Sequence, residues 1–263
     1  MTDINLGGFT ARLDPSRCIQ STSEKMSIRY HHYENVRFKD FVAGLLRRPL
    51  RRRAQPERQP RPRAAADFRP NASAGVIKVK RLFECLNSFL SERIMVVADV
   101  GDALFGAADL FIHHSTEFLG PAYYASMGFA IPASVGAQLA NPKFRPLVLV
   151  GDGAFQMTGL ELSTVARYGL NPIVILLNNG GYGTERPMQD GPYNDLWCWQ
   201  YHRLPDVLGA GRGYDVKSEK ELHDALSAAK EDTGTFHLLN VHLGPLDRSP
   251  ALQRLAERLA KKI

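Results

Sequence analysis

The sequence predicts an α/β fold: a parallel sheet with helices on both faces, preceded by a short remnant of another domain. Three observations carry this. From about residue 94 to 243, short apolar runs alternate with segments of helical periodicity, the order that builds a parallel sheet. The runs IMVVAD, PLVLV and PIVILL are nearly apolar throughout rather than alternating, as strands covered on both faces require. Two of them lead into glycines and short oxygen-bearing side chains, Gly151-Asp152-Gly153 and Asn178-Asn179. Ligands of such sheets gather beyond the carboxyl ends of the strands.

Taken in order, residues 1–46 read as short extended pieces, GGFTARL and KMSIRYHHY about a turn at Asp14-Pro15. The apolar patch FKDFVAGLL then has room for two helical turns. Units below about 40 residues rarely bury a core unaided, so the tail of a domain whose earlier strands are missing is expected. Residues 47–75 carry repeated arginine and proline with almost no large apolar group. Such composition cannot offset the entropy of ordering, and a solvated basic linker is expected. The net charge of +6 resides there. Nine arginines between Arg47 and Arg69 face only Glu57 and Asp67, leaving 24 basic and 25 acidic residues elsewhere. Arginine clusters also neutralise nucleic-acid phosphates, but only Phe68 offers a ring for stacking on bases. A nucleic-acid partner is therefore disfavoured; it would show as salt-sensitive retention lost on deleting residues 47–69.

The main domain is expected over residues 76–263. VKRLFECLNSFLSE places Val79, Leu82, Phe83, Leu86, Phe89 and Leu90 at helical spacing. IMVVAD is a buried strand ending near Gly101-Asp102, and FIHHSTEFLG reads as loop or short edge strand. YYASMGFAIPASVGAQLA reads as a helix of small residues, with Pro132 near its first turn or kinking it. After the strand PLVLV comes a helix in which Thr158 and Glu161 have capping-box spacing. Its inner face is Leu162, Val165 and Ala166, and Gly169 suits a left-handed cap. PIVILL is the next strand, residues 180 to about 215 are irregular, EKELHDALSAAKE is an amphipathic helix and FHLLNVHL a strand. SPALQRLAERLAKK closes the chain as a helix with lysines in its last turn. No apolar run approaches the roughly 18 to 20 residues of a membrane span, and the N-terminus has no basic-then-apolar leader. Cys18, Cys85 and Cys198 are odd in number and in no metal-ligand pattern. They read as reduced thiols of a cytoplasmic protein.

Magnesium takes oxygen ligands in near-octahedral geometry and keeps phosphate oxygens in its shell. Asp152, Asn179 and a backbone carbonyl just beyond would place three protein oxygens on adjacent loop ends. The pattern GDG, 24 residues, NN, each half following a buried strand, resembles the thiamine diphosphate-binding motif. From about residue 76 to 263 the chain is similar to the C-terminal, diphosphate-binding domain of the thiamine diphosphate-dependent 2-oxo acid decarboxylases, which include pyruvate, indolepyruvate and phenylpyruvate decarboxylases. Residues 1–45 resemble, more weakly, the end of that family's middle domain.

The resemblance implies a site residue by residue. Asp152, the Asn179 side chain and the Gly181 carbonyl would ligate Mg2+. Gly151 opens the motif, and backbone N–H groups at Gly153, Ala154 and near Tyr182 would meet the diphosphate. Ala154 stands where the family often has serine, so one hydroxyl contact is lost. Gly101, in ADVGD, lies on the loop that meets the cofactor from its other side, where Thr or Ser is common. Asp102 there would repel a diphosphate unless it points away. The Ala125 carbonyl would receive the aminopyrimidine amino group, and Met127 matches the bulky residue that props the cofactor into its bent shape; plain core packing is the alternative for Met127. Glu185, in NNGGYGTE, matches the catalytic glutamate that assists decarboxylation and protonation. A carboxylate buried beside an apolar substrate has a raised pKa and can donate a proton near neutrality; a solvated or capping glutamate is the alternative. Pro187 departs from the aliphatic helix common in the family and would shorten it near Thr184 and Met188.

His31-His32 and His113-His114 do not match the family's catalytic histidine pair by position, and structural or surface roles are expected for both. Trp197 and Trp199 are expected to pack a surface segment. The pyrimidine-binding domain, whose glutamate activates the cofactor, has no counterpart in this sequence. The resemblance therefore implies that another chain supplies it, in a dimer or tetramer acting on a small 2-oxo acid. A catalytically silent fragment is the alternative, and a methionine start inside a domain remnant favours truncation or a split reading frame. An acetolactate-synthase-like carboligase or an oxidase is a further alternative, against which Glu185 argues.

Overall fold

A computed structural model describes residues 14–49, 67–71, 75–112, 117–187 and 189–259. GGFTARL, most of the basic segment, His113-His114, Met188 and the C-terminal lysines lie outside the described residues. The chain divides into two compact units, essentially residues 3–62 and 63–263.

In the first unit, Asp14 accepts from the Ser16 N–H (2.9 Å) and opens a single 3-10 turn, Pro15–Arg17. Three short strands follow, β1 (Ile19–Ser21), β2 (Lys25–Ile28) and β3 (His31–Glu34), as an antiparallel meander. Helix α1 (Phe38–Leu46) has no buried residue of its own. His31 and His32 are exposed on β3, with His32 Nδ1 2.8 Å from Ser27 Oγ.

The second unit begins its regular structure with α2 (Val79–Phe89), β4 (Ile94–Ala98) and α3 (Asp102–Ala107). Then come β5 (Phe118–Leu119), α4 (Ala130–Ala140), β6 (Arg145–Gly151), α5 (Asp152–Thr158) and α6 (Leu162–Arg167). The rest is β7 (Ile173–Asn178), α7 (Leu204–Leu208), β8 (Arg212–Val216), α8 (Glu219–Glu231), β9 (His237–His242) and α9 (Pro250–Leu259). The six strands form one parallel sheet in the order β5-β4-β6-β7-β9-β8. Alternate strand residues feed two separate cores, because successive side chains point to opposite faces. Val96, Leu147, Ile175 and Val241 meet Leu82 of α2 and Leu222 of α8 on one face. Val97, Val148, Val174 and Leu238 meet Ile131, Phe155 and Leu162 on the other.

Two local readings change. Thr158 ends α5 and donates its hydroxyl to the Gly128 carbonyl (2.9 Å), while Glu161 accepts from Thr164, so no capping box forms there. The expected helix over residues 123–140 starts only at Ala130; Gly128, at φ +78°, precedes it. Pro132 does fall in the first turn of α4, where a missing N–H costs nothing. Gly169, at φ +61°, ends α6, with Leu170 N–H returning to the Val165 carbonyl at 3.0 Å.

Residues 67–71, although within the expected linker, are held on α2. Arg81 donates through Nε and Nη2 to both oxygens of Glu219 (2.8 and 2.7 Å) and through Nη2 to the Arg69 carbonyl. The Phe68 ring lies 4.4 Å from its guanidinium, and Asn71 N–H donates to Glu219 at 2.9 Å. Glu219 is only 3% exposed, and Arg81 holds its carboxyl below the usual range. Arg81→Met is expected to cost about 2 kcal/mol, less than the roughly 3–5 of a fully buried pair, because the Arg81 side chain is itself 32% exposed. The urea midpoint of unfolding measures it.

Candidate functional site

Because every pairing is parallel, Ala98, Gly151, Asn178, Val216 and His242 all end their strands on one edge of the sheet. Gly151 closes β6 in extended conformation and is the N-cap of α5. The next residue, Asp152, is 1% exposed. Its Oδ1 accepts from the Gly153 N–H (2.8 Å) and its Oδ2 from the Gly180 N–H (2.7 Å). Among the described residues no cationic side chain pairs with it. Burial pushes its pKa up to about 6, against the backbone hydrogen bonds that pull it down. An ionised carboxylate withdrawn from water is costly unless a cation compensates.

Asn179 follows β7, half-buried, with Oδ1 accepting from the Gly181 N–H at 3.3 Å. The Gly181 carbonyl accepts from Gly183 N–H at 3.0 Å and keeps a second lone pair. Residues 194–196 run antiparallel beside this loop: Tyr182 N–H donates to the Asn194 carbonyl (2.9 Å), and Leu196 N–H to the Gly180 carbonyl (3.1 Å). A Cβ at Gly181 would lie 2.1 Å from the Asn194 oxygen, so the close approach demands glycine. Gly153 and Ala154 are buried at the start of α5, with the Tyr182 ring against Gly153. Gly153 and Tyr182, expected to offer N–H groups to a phosphate, both spend them within the chain. Each has an acceptor already in reach.

The loop after β4 supplies another wall. Gly101 has φ +73°, and a Cβ there would stand 3.0 Å from Thr184 Oγ1, next to Glu185 in sequence. Asp102 points elsewhere: its Oδ2 accepts from Ser249 N–H (2.8 Å) at the start of α9. Burial pushes its pKa up. The orientation left open by the sequence is thereby decided. Asp99, fully buried, accepts from the N–H groups of Val100 (3.0 Å), Gly128 (3.2 Å) and Ala130 (2.8 Å). It ties the end of β4 to the turn carrying Ala125 and Met127. Ala125 is exposed at φ +53°, and Met127 is 38% exposed, which sets core packing aside.

Glu185 is exposed on a turn, its N–H bonded to the Tyr182 carbonyl (3.1 Å). The apolar cover expected around its carboxylate is thus not supplied by the described residues. Arg186 beside it is pinned to Asp190 (2.8 Å) and Asp195 (2.6 Å). Trp197 is 86% exposed, its carbonyl accepting from Gln156 Nε2. The structure therefore gathers Asp152, Gly153, Asn179, Gly181 and Tyr182 into one cluster, with Gly101 and Thr184 in contact. Sequence reasoning missed the clamp by Asp99, legible only as a carboxylate after a buried strand. It also missed the covering segment 194–196, which has no local signal.

Residues 99–241 match the family described as "Thiamine pyrophosphate enzyme, C-terminal TPP binding domain". An alpha-keto-acid decarboxylase of Mycolicibacterium paratuberculosis is 31% identical over 256 residues, covering 94% of this chain and 44% of its own length. Indole-3-pyruvate decarboxylase of Azospirillum brasilense is 32% identical over 247 residues, covering 91% and 44%. The chain thus spans less than half the length of these curated relatives. Among solved structures, a thiamine diphosphate-dependent 4-hydroxybenzoylformate decarboxylase of Rhodococcus jostii RHA1 superposes with a TM-score of 0.62. It is 23% identical and covers 72% of this chain and 37% of its own, a likeness that bears on fold alone.

Proposed function

The chain belongs to the thiamine pyrophosphate enzymes, whose C-terminal cofactor-binding domain it carries, and on that premise we propose that it is the magnesium- and diphosphate-binding part of a 2-oxo acid decarboxylase. The observation that carries the metal is Asp152, a buried carboxylate with hydrogen bonds but no cationic partner among the described residues. A divalent ion would compensate it, with the Asn179 side-chain oxygen and the Gly181 carbonyl as further oxygen ligands. These donors suit hard magnesium rather than a thiophilic metal. The first N–H groups of a helix lack partners within it, so Ala154, at the start of α5, can offer its own to an anion.

When bound, thiamine diphosphate supplies the electron sink that makes loss of carbon dioxide from a 2-oxo acid feasible. The chain's own residues bind, orient and move a proton. Met127, on the turn clamped by Asp99, would support the cofactor, and the Ala125 carbonyl would accept a hydrogen bond from its aminopyrimidine amino group. Glu185 holds a proton at its carboxyl oxygen and delivers it to the product carbon. For that it must be covered, which fits a pyrimidine-binding domain contributed by another chain in a dimer or tetramer. Residues 1–46 we assign to the end of a middle domain, and 47–75 to the link. The substrate is a small 2-oxo acid of the pyruvate, phenylpyruvate or indolepyruvate type, and the setting is the cytoplasm.

Titration calorimetry tests the reading. Thiamine diphosphate is expected to bind with Mg2+ and not with EDTA, and the isolated chain is expected to show no decarboxylation. Absence of binding at millimolar cofactor and Mg2+ would overturn the assignment of the site.

A further inference from the structure

A string of polar side chains crosses the carboxyl ends of β7, β9 and β8 without a task in the chemistry above. Asn178 Nδ2 donates to Asn240 Oδ1 at 3.0 Å, and Asn240 Nδ2 donates to Asp215 Oδ1 at 2.9 Å. Asn178 and Asn240 are 6% and 2% exposed, so water cannot satisfy an amide turned the wrong way. Asp215 is anchored at the far end by His242 Nε2 (2.6 Å) and Lys217 Nζ (2.8 Å).

The donors and acceptors determine each orientation in turn. A carboxylate only accepts, so Asn240 must present its NH2 to Asp215 and its oxygen to Asn178. Asn178 must then present its NH2 to Asn240, and its own oxygen faces Cys198 Sγ at 3.8 Å. That sulfur lies against Gly180, where a Cβ would be 3.9 Å away. Gly180 in turn gives its N–H to Asp152 at 2.7 Å. The string thus runs from an edge strand to the carboxylate of the metal loop.

We infer that Asp215 and Asn240 are positioning residues for the metal loop. They set the amide of Asn178, the neighbour of Asn179, and through Cys198 hold Gly180 and the covering segment in place. The inference rests on the magnesium reading of Asp152 and Asn179. Partners one shell beyond the ligands typically change metal affinity about 10- to 100-fold.

Two substitutions separate orientation from general stability. Asp215→Leu removes the acceptor and frees the Asn240 amide to turn over; Asp215→Asn keeps an acceptor oxygen in place. In calorimetry with saturating thiamine diphosphate, Asp215→Leu is expected to weaken Mg2+ binding about 10-fold, and Asp215→Asn to leave it within about twofold. Asp152→Ala is the non-binding control. In the metal-free protein, hydrogen exchange at the Gly180 and Leu196 amides should speed up in Asp215→Leu and not in Asp215→Asn. Asp215→Ser serves if the leucine variant does not fold. Unchanged exchange in Asp215→Leu, or an equal effect in both variants, overturns the inference. A wild-type chain that binds no Mg2+ sinks the magnesium reading instead, and exchange still decides the role of Asp215.

Discussion

Asp152→Asn is expected to abolish Mg2+-dependent thiamine diphosphate binding and to remove a pH-dependent stability term of about 3 kcal/mol from the metal-free chain. The figure follows from a carboxyl pushed from 3.8 to about 6, at about 1.4 kcal/mol per unit. Its folded pKa lies above its unfolded one, so the folded state holds the proton more tightly. The penalty is absent below the ordinary carboxylate range. It grows as pH rises and is complete above about 6. The wild-type chain should therefore lose stability relative to Asp152→Asn between pH 4 and pH 7. Comparing the slopes is more informative than comparing stabilities at one pH. Asparagine turns an NH2 toward either the Gly153 or the Gly180 N–H, and that lost acceptor costs about 1–3 kcal/mol at every pH. Urea midpoints of both proteins across that range, with EDTA, give the answer; parallel profiles would refute the buried-charge account. Saturating Mg2+ should stabilise the wild type at pH 7 and not the variant.

The second large effect belongs to Glu185. In an assembly completed by a pyrimidine-binding domain, Glu185→Gln is expected to lower the rate of decarboxylation by about 100- to 10,000-fold, the range for losing a positioned general acid. Cofactor binding should be unchanged, because Glu185 is held in its turn by backbone hydrogen bonds to Tyr182 and Gln189. Glutamine keeps the shape and the turn but cannot supply a proton. A single-turnover rate equal to wild type would remove Glu185 from the chemistry. Loss of cofactor affinity instead would make it a structural residue of the Gly183–Pro187 turn.

These expectations differ in how far they could be seen in advance. The pairing of GDG with NN was readable because each motif ends a buried apolar strand, and strand-end placement is a local property. The position of Asp152 at the carboxyl end of β6 follows directly. That no cationic side chain among the described residues pairs with it does not, since a basic residue could have reached it from anywhere in the chain. Glu185 was readable by its spacing from Asn179, but its exposure was not, because burial depends on what covers the turn. Asp102 shows the same division. The sequence announced a carboxylate in the cofactor loop, and only the packing of α9 turned it toward the Ser249 N–H.

The sequence alone determined the alternation of strands and helices, the start of α2, the span of α8 and the left-handed end of α6 at Gly169. It also determined that oxygen-bearing side chains and glycines meet at neighbouring strand ends. All of these are encoded in periodicity and residue type within a few positions. The tertiary structure decided the sixth strand, Arg212–Val216, whose polar edge sequence carries no buried-strand signal. It decided that residues 194–196 would lie along the loop after β7, and that Asn178 would find Asn240 62 residues away. Hydrogen bonds of that kind are set by which strands become neighbours in the sheet, and no window of the sequence contains both partners.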